Sequence, residues 1–311
     1  MAVTVDASSA IAAPNIDRTS GAWRTVDSLE SCRQRLHKQP FLVTHNLATN
    51  PLFDVEQLVS VAQNAGKRWS DLHFDVGDAS VDSKWGQLPK GELPAPELIR
   101  RIETAKAWII MKHVEAEPAY ARVLNDFADF VHGIAGPDGA RMLRNPEMLV
   151  LVTSPHRVTP CHFDAEVNFL VQARGRKQVW VCDPNDREIT TENELESYYG
   201  KSPNVPNFKP VAEERAWSFD LKAGEGVHIP THGAHWVKNS DEVSVSLSLN
   251  FELPGWVHQD FYRCNYHLRR LGLAPTAPGQ NVLADKMKTT LGSGYRAARS
   301  MKHLAKKVVK R

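Results

Sequence analysis

No stretch of this 311-residue chain approaches the roughly 18 consecutive apolar residues that a membrane-spanning helix needs, and no Cys-x-x-Cys pair occurs. Its four cysteines, Cys32, Cys161, Cys182 and Cys264, are scattered. That spacing argues against a structural zinc site and gives no disulfide framework, so a reducing cytoplasm is the expected compartment. Met1 to Pro14 is small and mildly apolar, but it carries Asp6 and lacks the basic start and apolar core of a signal peptide. Residues 1 to 20 read as a disordered tail. An excess of one sign of charge is also lacking: charged residues make up an ordinary 24% of the chain and the net charge is +2. Such a balance excludes a protein built as a whole to hold polyanions. The exception is local. From Arg296 to Arg311 there are seven basic residues and no acidic one. Neither an internal repeat nor a low-complexity segment is present.

What the chain does contain is enough apolar material, 42%, for one substantial core. The first half mixes helix and strand: helices over 28 to 38, 54 to 65 and 96 to 104, and strands over 40 to 44 and 107 to 111. Residues 118 to 134 form an amphipathic helix with Tyr120, Val123, Leu124, Phe127 and Phe130 on one face, stopped by Gly136-Pro-Asp-Gly139. After that stop the period becomes strand-like for about a hundred residues, through 148 to 153, 162 to 173, 177 to 182, 225 to 229 and 243 to 253. Several short strands joined by turns predict a barrel or sandwich. Turns at Arg174-Gly-Arg176 and Asn239-Ser-Asp-Glu242 predict two hairpins. The last strand alternates throughout, with Val243, Val245, Leu247, Leu249 and Phe251 on one face. Ser244, Ser246, Ser248, Asn250 and Glu252 lie on the other, a pattern suited to the wall of a solvated cavity or to an exposed sheet face. Helix returns at 256 to 271, and 281 to 311 is expected to be helical with an interruption near Gly292-Ser-Gly294.

Two residues apart on a strand, His162 and Asp164 in Thr159-Pro-Cys-His-Phe-Asp164 present an imidazole and a carboxylate to one point. One more histidine completes a facial triad of the kind that holds non-haem Fe(II), because three protein ligands on one octahedral face leave three positions for a bidentate 2-oxo acid and O2. His228, His232 and His235 are the candidates. His235 opens a strand, where a ligand is held rigidly, and is preferred over His232 on a turn. His228 reads as a core or cavity-wall residue, and His156 and His258 as ordinary histidines. A 2-oxo diacid also leaves a second carboxylate to be neutralised in a buried pocket, which calls for a cation with a hydroxyl beside it. Lys177, read as lying across a hairpin from the metal strand, and Thr159 fill those parts.

The stretch from Thr159 to Lys177, with Gly224 to His235 and Ser246-Leu-Ser-Leu-Asn-Phe251, resembles the JmjC branch of the cupin superfamily, nearest to its asparaginyl-hydroxylase type, the type of the factor inhibiting hypoxia-inducible factor. The family pattern places an Asn six residues and a Lys fifteen residues after the first histidine, here Asn168 and Lys177. It places the second histidine five after the proline of an Ile-Pro pair, here His235 after Pro230, and an Asn-Phe pair fifteen further on, here Asn250-Phe251. The match covers residues 148 to 253.

By this resemblance His162, Asp164 and His235 bind Fe(II), Thr159 and Lys177 hold the distal carboxylate of 2-oxoglutarate, and Asn168 and Asn250 line the co-substrate pocket near its iron-bound end. The implied fold is mainly β, an α+β protein built on a double-stranded β-helix, or jelly-roll cupin barrel. N-terminal helices flank it, the catalytic domain runs from 21 to 255, and 256 to 311 is a helical extension. The implied activity is that of a 2-oxoglutarate-dependent dioxygenase, releasing succinate and CO2 while hydroxylating a protein side chain or a small molecule. A JmjC-type N-demethylase and a non-catalytic cupin-fold binding or regulatory protein are the alternatives. A metal-dependent cupin isomerase or simple dioxygenase would have no use for Lys177. The C-terminal helices, with Leu268, Leu271, Leu273, Val282, Leu283, Met287 and Leu291, are expected to form a homodimer, and the basic run at 296 to 311 to meet an acidic partner. Three departures stand out: Glu225 replaces an Asp, the strand at Trp108 to Lys112 lacks the tyrosine that commonly grips 2-oxoglutarate, and Glu252 replaces an aromatic residue.

Overall fold

The computed structural model describes residues 3–4, 22–67, 71–84, 86–201, 206–254, 259–292 and 294. Its strands are β1 Val3–Thr4, β2 Trp23–Thr25, β3 Leu42–His45, β4 Leu72–Val76, β5 Ala107–Met111, β6 Arg144–Thr153, β7 Val158–His162, β8 Val167–Arg174, β9 Arg176–Val181, β10 Trp217–Lys222, β11 Glu225–Ile229, β12 His235–Asn239 and β13 Ser244–Glu252. The helices are α1 Leu29–Arg35, α2 Val55–Gly66, α3 Ala95–Arg100, α4 Pro118–Ala140, α5 Glu192–Gly200, α6 Val211–Arg215 and α7 Gln259–Arg270. Residues 282–292 are also helical, so the chain continues as helix through Gly292. Ser293, His258 and the basic run from 295 onward lie outside the described residues, as does most of the 1 to 20 segment. Within that segment Val3–Thr4 pairs in parallel with Trp217–Ser218.

Two sheets face each other. One has the order β1-β10-β9-β12-β7, the other β2-β3-β11-β8-β13-β6-β5-β4. Strands β6 to β13 form a jelly roll, in which successive strands mostly alternate between sheets. That alternation corrects the sequence reading at two points. β8 pairs with β11 and β13, whereas β9 pairs with β10 and β12. The Arg174-Gly-Arg176 turn is therefore a corner between sheets and not a hairpin. The same holds at residues 240–243, since β12 and β13 pair with different neighbours. Turn chemistry specifies a change of direction but not which strand becomes the partner.

Gly175 makes the first corner possible. Its φ is +72°, and an added Cβ would run into the Val243 carbonyl oxygen. Only glycine meets both conditions.

Alternation sorts the strands' side chains by layer. On β13, Val245, Leu247, Leu249 and Phe251 join the main core with Phe127 and Phe130 of α4, while Ser244, Ser246 and Ser248 are buried on the barrel side. The hydroxyl of Ser246 donates to Gln172 Oε1 at 2.6 Å, and Gln172 Nε2 donates to Ser244 Oγ at 3.0 Å. The polar row is thus inside, and it is satisfied where it is closed. A second apolar cluster of Leu170, Val179, Val181, Phe219, Leu221, Val227, Ile229 and Val237 fills the space between the two sheets.

The long helix agrees with its amphipathic reading through Ile134. Gly136 then leaves helical geometry (φ 72°, ψ 175°), and a further helical turn follows to Ala140.

Candidate metal and co-substrate site

The three metal-ligand candidates come from different parts of the barrel. His162 is the last residue of β7 and His235 the first of β12, and the two are register partners. Asp164 is not on a strand. The chain breaks at Phe163–Glu166, and this loop carries the carboxylate back to the histidines. The expectation of one strand from 162 to 173, with His162 and Asp164 sharing a face by alternation, is therefore corrected: the pair meets through a turn. Phe163 causes the departure, because it is buried against Leu195, Tyr199, Phe261 and Tyr262.

One donor atom from each of His162, Asp164 and His235 lies within 4.8 Å of the others. Among the described residues this is the one cluster of His, Cys, Asp or Glu so arranged. The imidazole centroids are 4.2 Å apart, and His235 Nε2 is 3.8 Å from Asp164 Oδ2. Ligand bonds of about 2 Å to a single ion can close that gap with small side-chain rotations.

Both rings are oriented from behind. His162 Nδ1 is 2.8 Å from the Pro160 carbonyl, and His235 Nδ1 is 2.9 Å from the Gly233 carbonyl. A carbonyl accepts only from an N–H, so each contact holds the proton on Nδ1 and turns a bare Nε2 toward the cluster. Burial, with His162 beside it, pushes His235 down to about 4, which keeps the ring neutral. Burial alone would raise the Asp164 carboxyl. The two imidazoles and the Asn168 amide, whose Nδ2 donates to Asp164 Oδ2 at 2.8 Å, outweigh it and hold the group below its usual value.

The other two histidines of the 228 to 235 segment go elsewhere. His228 is buried, with its ring 4.8 Å from each of Phe41 and Phe169. His232 sits at φ +65° with Nε2 2.6 Å from the Tyr199 hydroxyl, and its backbone N–H donates to the Asp164 carbonyl at 3.0 Å. It supports the metal loop through its main chain.

A cavity of about 100 Å³ opens beside the cluster, lined by all seven residues singled out from the sequence: Thr159, His162, Asp164, Asn168, Lys177, His235 and Asn250. A β-bulge explains how two residues three apart on β7 both reach it. His235 pairs with His162, but Val237 pairs with Thr159, so β7 carries one extra residue there. Pro160, which cannot donate to a ladder, falls within the bulge.

Lys177 lies on β9 in the same sheet as the metal strands β7 and β12, with β12 between β9 and β7, and not across a hairpin from β7. It alternates with Val179 and Val181 on the inward face, which forces an ammonium into an apolar wall. It is 5% exposed and has no ion pair or side-chain hydrogen bond among the described residues. Burial pulls its ammonium down to about 7. Asn168 Oδ1 is likewise buried without a partner. A ligand with one carboxylate for Lys177 and a chelating end for a metal held by Asp164 and the two imidazoles would neutralise the ammonium, so the residues present fit Fe(II) with 2-oxoglutarate.

Sequence reasoning missed part of the lining. Trp108 and Ile110 of β5, Leu149, Leu151 and Thr153 of β6, and Leu170, Ile229, Val237 and Ser248 complete the wall. On β6 the run Met148 to Val152 is wholly apolar, since one face meets the cavity and the other the core, and the alternation is invisible there. β5 does lie at the cavity, and Trp108 and Ile110 are what it presents in place of a tyrosine.

Comparison with known proteins bears on the same region. A family model described as a cupin-like domain matches residues 101–254. The chain carries a cupin-like domain. The similarity to curated proteins falls on about a third of it: HSPB1-associated protein 1 of Rattus norvegicus is 28% identical over 104 residues, covering 30% of this chain and 22% of that protein. The homologue from Danio rerio is 27% identical over 111 residues, covering 33% and 23%. The chain thus matches less than a quarter of the length of these relatives. Among solved structures, E. coli ycfD superposes with a TM-score of 0.51 at 16% identity, over 88% of this chain and 68% of that one. The YcfD ribosomal oxygenase from E. coli in complex with cobalt and 2-oxoglutarate gives 0.50 at 17% identity, over 91% and 70%. At that identity the likeness is one of fold, and the fold is the cupin jelly roll described above.

Proposed function

We propose that this cupin-like chain is an Fe(II)- and 2-oxoglutarate-dependent oxygenase. His162, Asp164 and His235 hold the metal, and Lys177 with Thr159 neutralises the distal carboxylate of the co-substrate. One observation carries the reading: a buried lysine with no carboxylate to neutralise among the described residues shares a cavity with a two-histidine, one-carboxylate cluster. A pure metal-binding cupin has no need of that ammonium, and burying it without a function is costly. The solved complex of YcfD with cobalt and 2-oxoglutarate supports the same pairing on this fold.

Bound iron with 2-oxoglutarate supplies the oxidising power, drawn from O2 as the 2-oxo acid is converted to succinate and CO2. The chain's own residues do the rest. Pro160 and Gly233 carbonyls aim the imidazoles, and Asn168 holds one carboxylate oxygen of Asp164 so that the other is free to ligate. Asn250 lies directly opposite Asn168 across β13 and β8, which places both amides at the chelating end. Trp108, Ile110, Leu149 and Leu151 keep the cavity wall apolar and exclude water.

Hydroxylation at carbon, of a protein side chain or a small molecule, is preferred to N-demethylation because the spacing of the motifs is nearest to the asparaginyl-hydroxylase pattern. We place the reaction in the cytoplasm, in keeping with four free cysteines. Exposed Leu271, Leu273, Val282, Leu283, Met287 and Leu291 support a homodimer formed through the C-terminal helices.

Oxygen consumption and succinate formation test the assignment. With Fe(II), O2 and 2-oxoglutarate the wild-type protein is expected to turn over the co-substrate, slowly without a prime substrate, and His162→Ala is expected to abolish this. Equal uptake in the variant contradicts the iron assignment. Tight 2-oxoglutarate binding with no turnover under any substrate favours the non-catalytic binding protein.

A further inference from the structure

Two hydroxyls in the wall of the co-substrate cavity, those of Ser248 and Thr153, are used by neither the motif spacing nor the reading above, and Ser248 donates its own to Asn250 Oδ1 at 3.1 Å. Inward-facing residues of β6 are Leu149, Leu151 and Thr153, so Thr153 is the only polar side chain that strand offers to the cavity below Glu147. It is 3% exposed and makes no side-chain hydrogen bond among the described residues. Its oxygen is not sealed off in the core but opens on the cavity, where a ligand oxygen can reach it. Its neighbours Ser154 and Val152 are fully occupied, Ser154 by hydrogen bonds to the Ile102 carbonyl and the Ala107 amide and Val152 by the core.

The backbone places Thr153 at the lysine end. Lys177 pairs in register with Asn239, and Asn239 Nδ2 donates to the Ser154 carbonyl at 2.9 Å. This bond joins the two sheets one residue from Thr153 and one strand from Lys177. Across the other edge of β6, Thr153 is the direct partner of Trp108 on β5. That strand is where a tyrosine would have been expected to grip the diacid, and Trp108 cannot offer a phenol.

A carboxylate has two oxygens and about four lone-pair sites. Lys177 and the Thr159 hydroxyl engage only part of them. Resting on the oxoglutarate reading, we infer that Thr153 is a further binding residue for the distal carboxylate of the 2-oxo diacid, standing in for the absent tyrosine. The selectivity of this chain for a diacid over a 2-oxo monoacid therefore depends on Thr153 as well as on Lys177.

Anaerobic titration calorimetry of the Mn(II)-loaded full-length protein, with 2-oxoglutarate and separately with 2-oxobutyrate, tests this without turnover. Thr153→Val removes the hydroxyl at nearly constant shape. It is expected to weaken 2-oxoglutarate about tenfold and to leave 2-oxobutyrate unchanged, with Thr153→Ser restoring most of the loss. Equal weakening of both acids means that Thr153 only shapes the wall, and an unchanged 2-oxoglutarate affinity means that it makes no contact; either result overturns the inference. Lys177→Met separates this from the parent reading. If that variant loses 2-oxoglutarate while Thr153→Val does not, only the Thr153 inference fails. If wild-type protein does not discriminate the two acids at all, both fail.

Discussion

Lys177 is a liability to the fold and an asset to the site, and its two effects have opposite signs. Its folded-state value of about 7 is below the ordinary lysine value, because burial disfavours the charged form. Between about pH 7 and pH 10 the unfolded chain holds a proton here that the folded chain lacks, so this group makes stability rise with pH across that window. Lys177→Met removes the penalty. The variant without co-substrate is expected to melt higher than wild type at pH 7, with the gap narrowing toward pH 10, while losing 2-oxoglutarate affinity. A carboxylate bound against Lys177 also demands the ammonium form. At pH 8 binding should therefore take up close to one proton, and at pH 6 nearly none; calorimetry in buffers of differing ionisation enthalpy reads this directly, and zero uptake at pH 8 contradicts the contact. Asn168 makes a separate prediction. It holds Asp164 Oδ2, so Asn168→Ala is expected to weaken Co(II) binding by about 10- to 100-fold while leaving the fold intact by circular dichroism.

At the scale of elements, legibility followed from how local each signal is. His162, Asp164, Lys177 and His235 could be picked out because each sits at a fixed offset from its neighbours in sequence. Trp217, Phe219 and Leu221 of β10 alternate with Ser218, Asp220 and Lys222, a strand signal that is equally local. The β7 bulge was hidden, because a register shift belongs to two strands at once, and so were the sheet corners at Gly175 and 240–243. Thr153 and Trp108 were masked by strands buried on both faces, where period 2 disappears. The corner at Gly175 carries its own prediction. Gly175→Ala forces a side chain into positive φ and against the Val243 carbonyl, and should destabilise the protein by roughly 1–3 kcal/mol in urea titration. A neutral result would mean that the corner can relax.

For the whole molecule, the cupin barrel gives a rigid frame in which loops and bulges set the chemistry, and the helical extension gives a surface. Leu283, Met287 and Leu291 follow one another at a spacing of four in the helical segment 282–292, and they are 71%, 59% and 63% exposed. One helical face therefore leaves a row of large apolar side chains in solvent, which two copies of the chain could cover. Light scattering on the full chain should give twice the monomer mass, and Leu283→Glu with Met287→Glu should reduce it to one. A monomeric wild type contradicts the dimer and leaves the site untouched, since all seven of its residues come from one barrel.

The central claim joins a metal to a 2-oxo diacid in one cavity, and both can be seen together. Anaerobic titration of Fe(II)-loaded protein with 2-oxoglutarate should produce the visible charge-transfer band of a chelated 2-oxo acid. It should saturate at one equivalent, be lost in His235→Ala, and need far more ligand in Lys177→Met. No band in the wild-type protein, or a band that survives His235→Ala unchanged, contradicts the account.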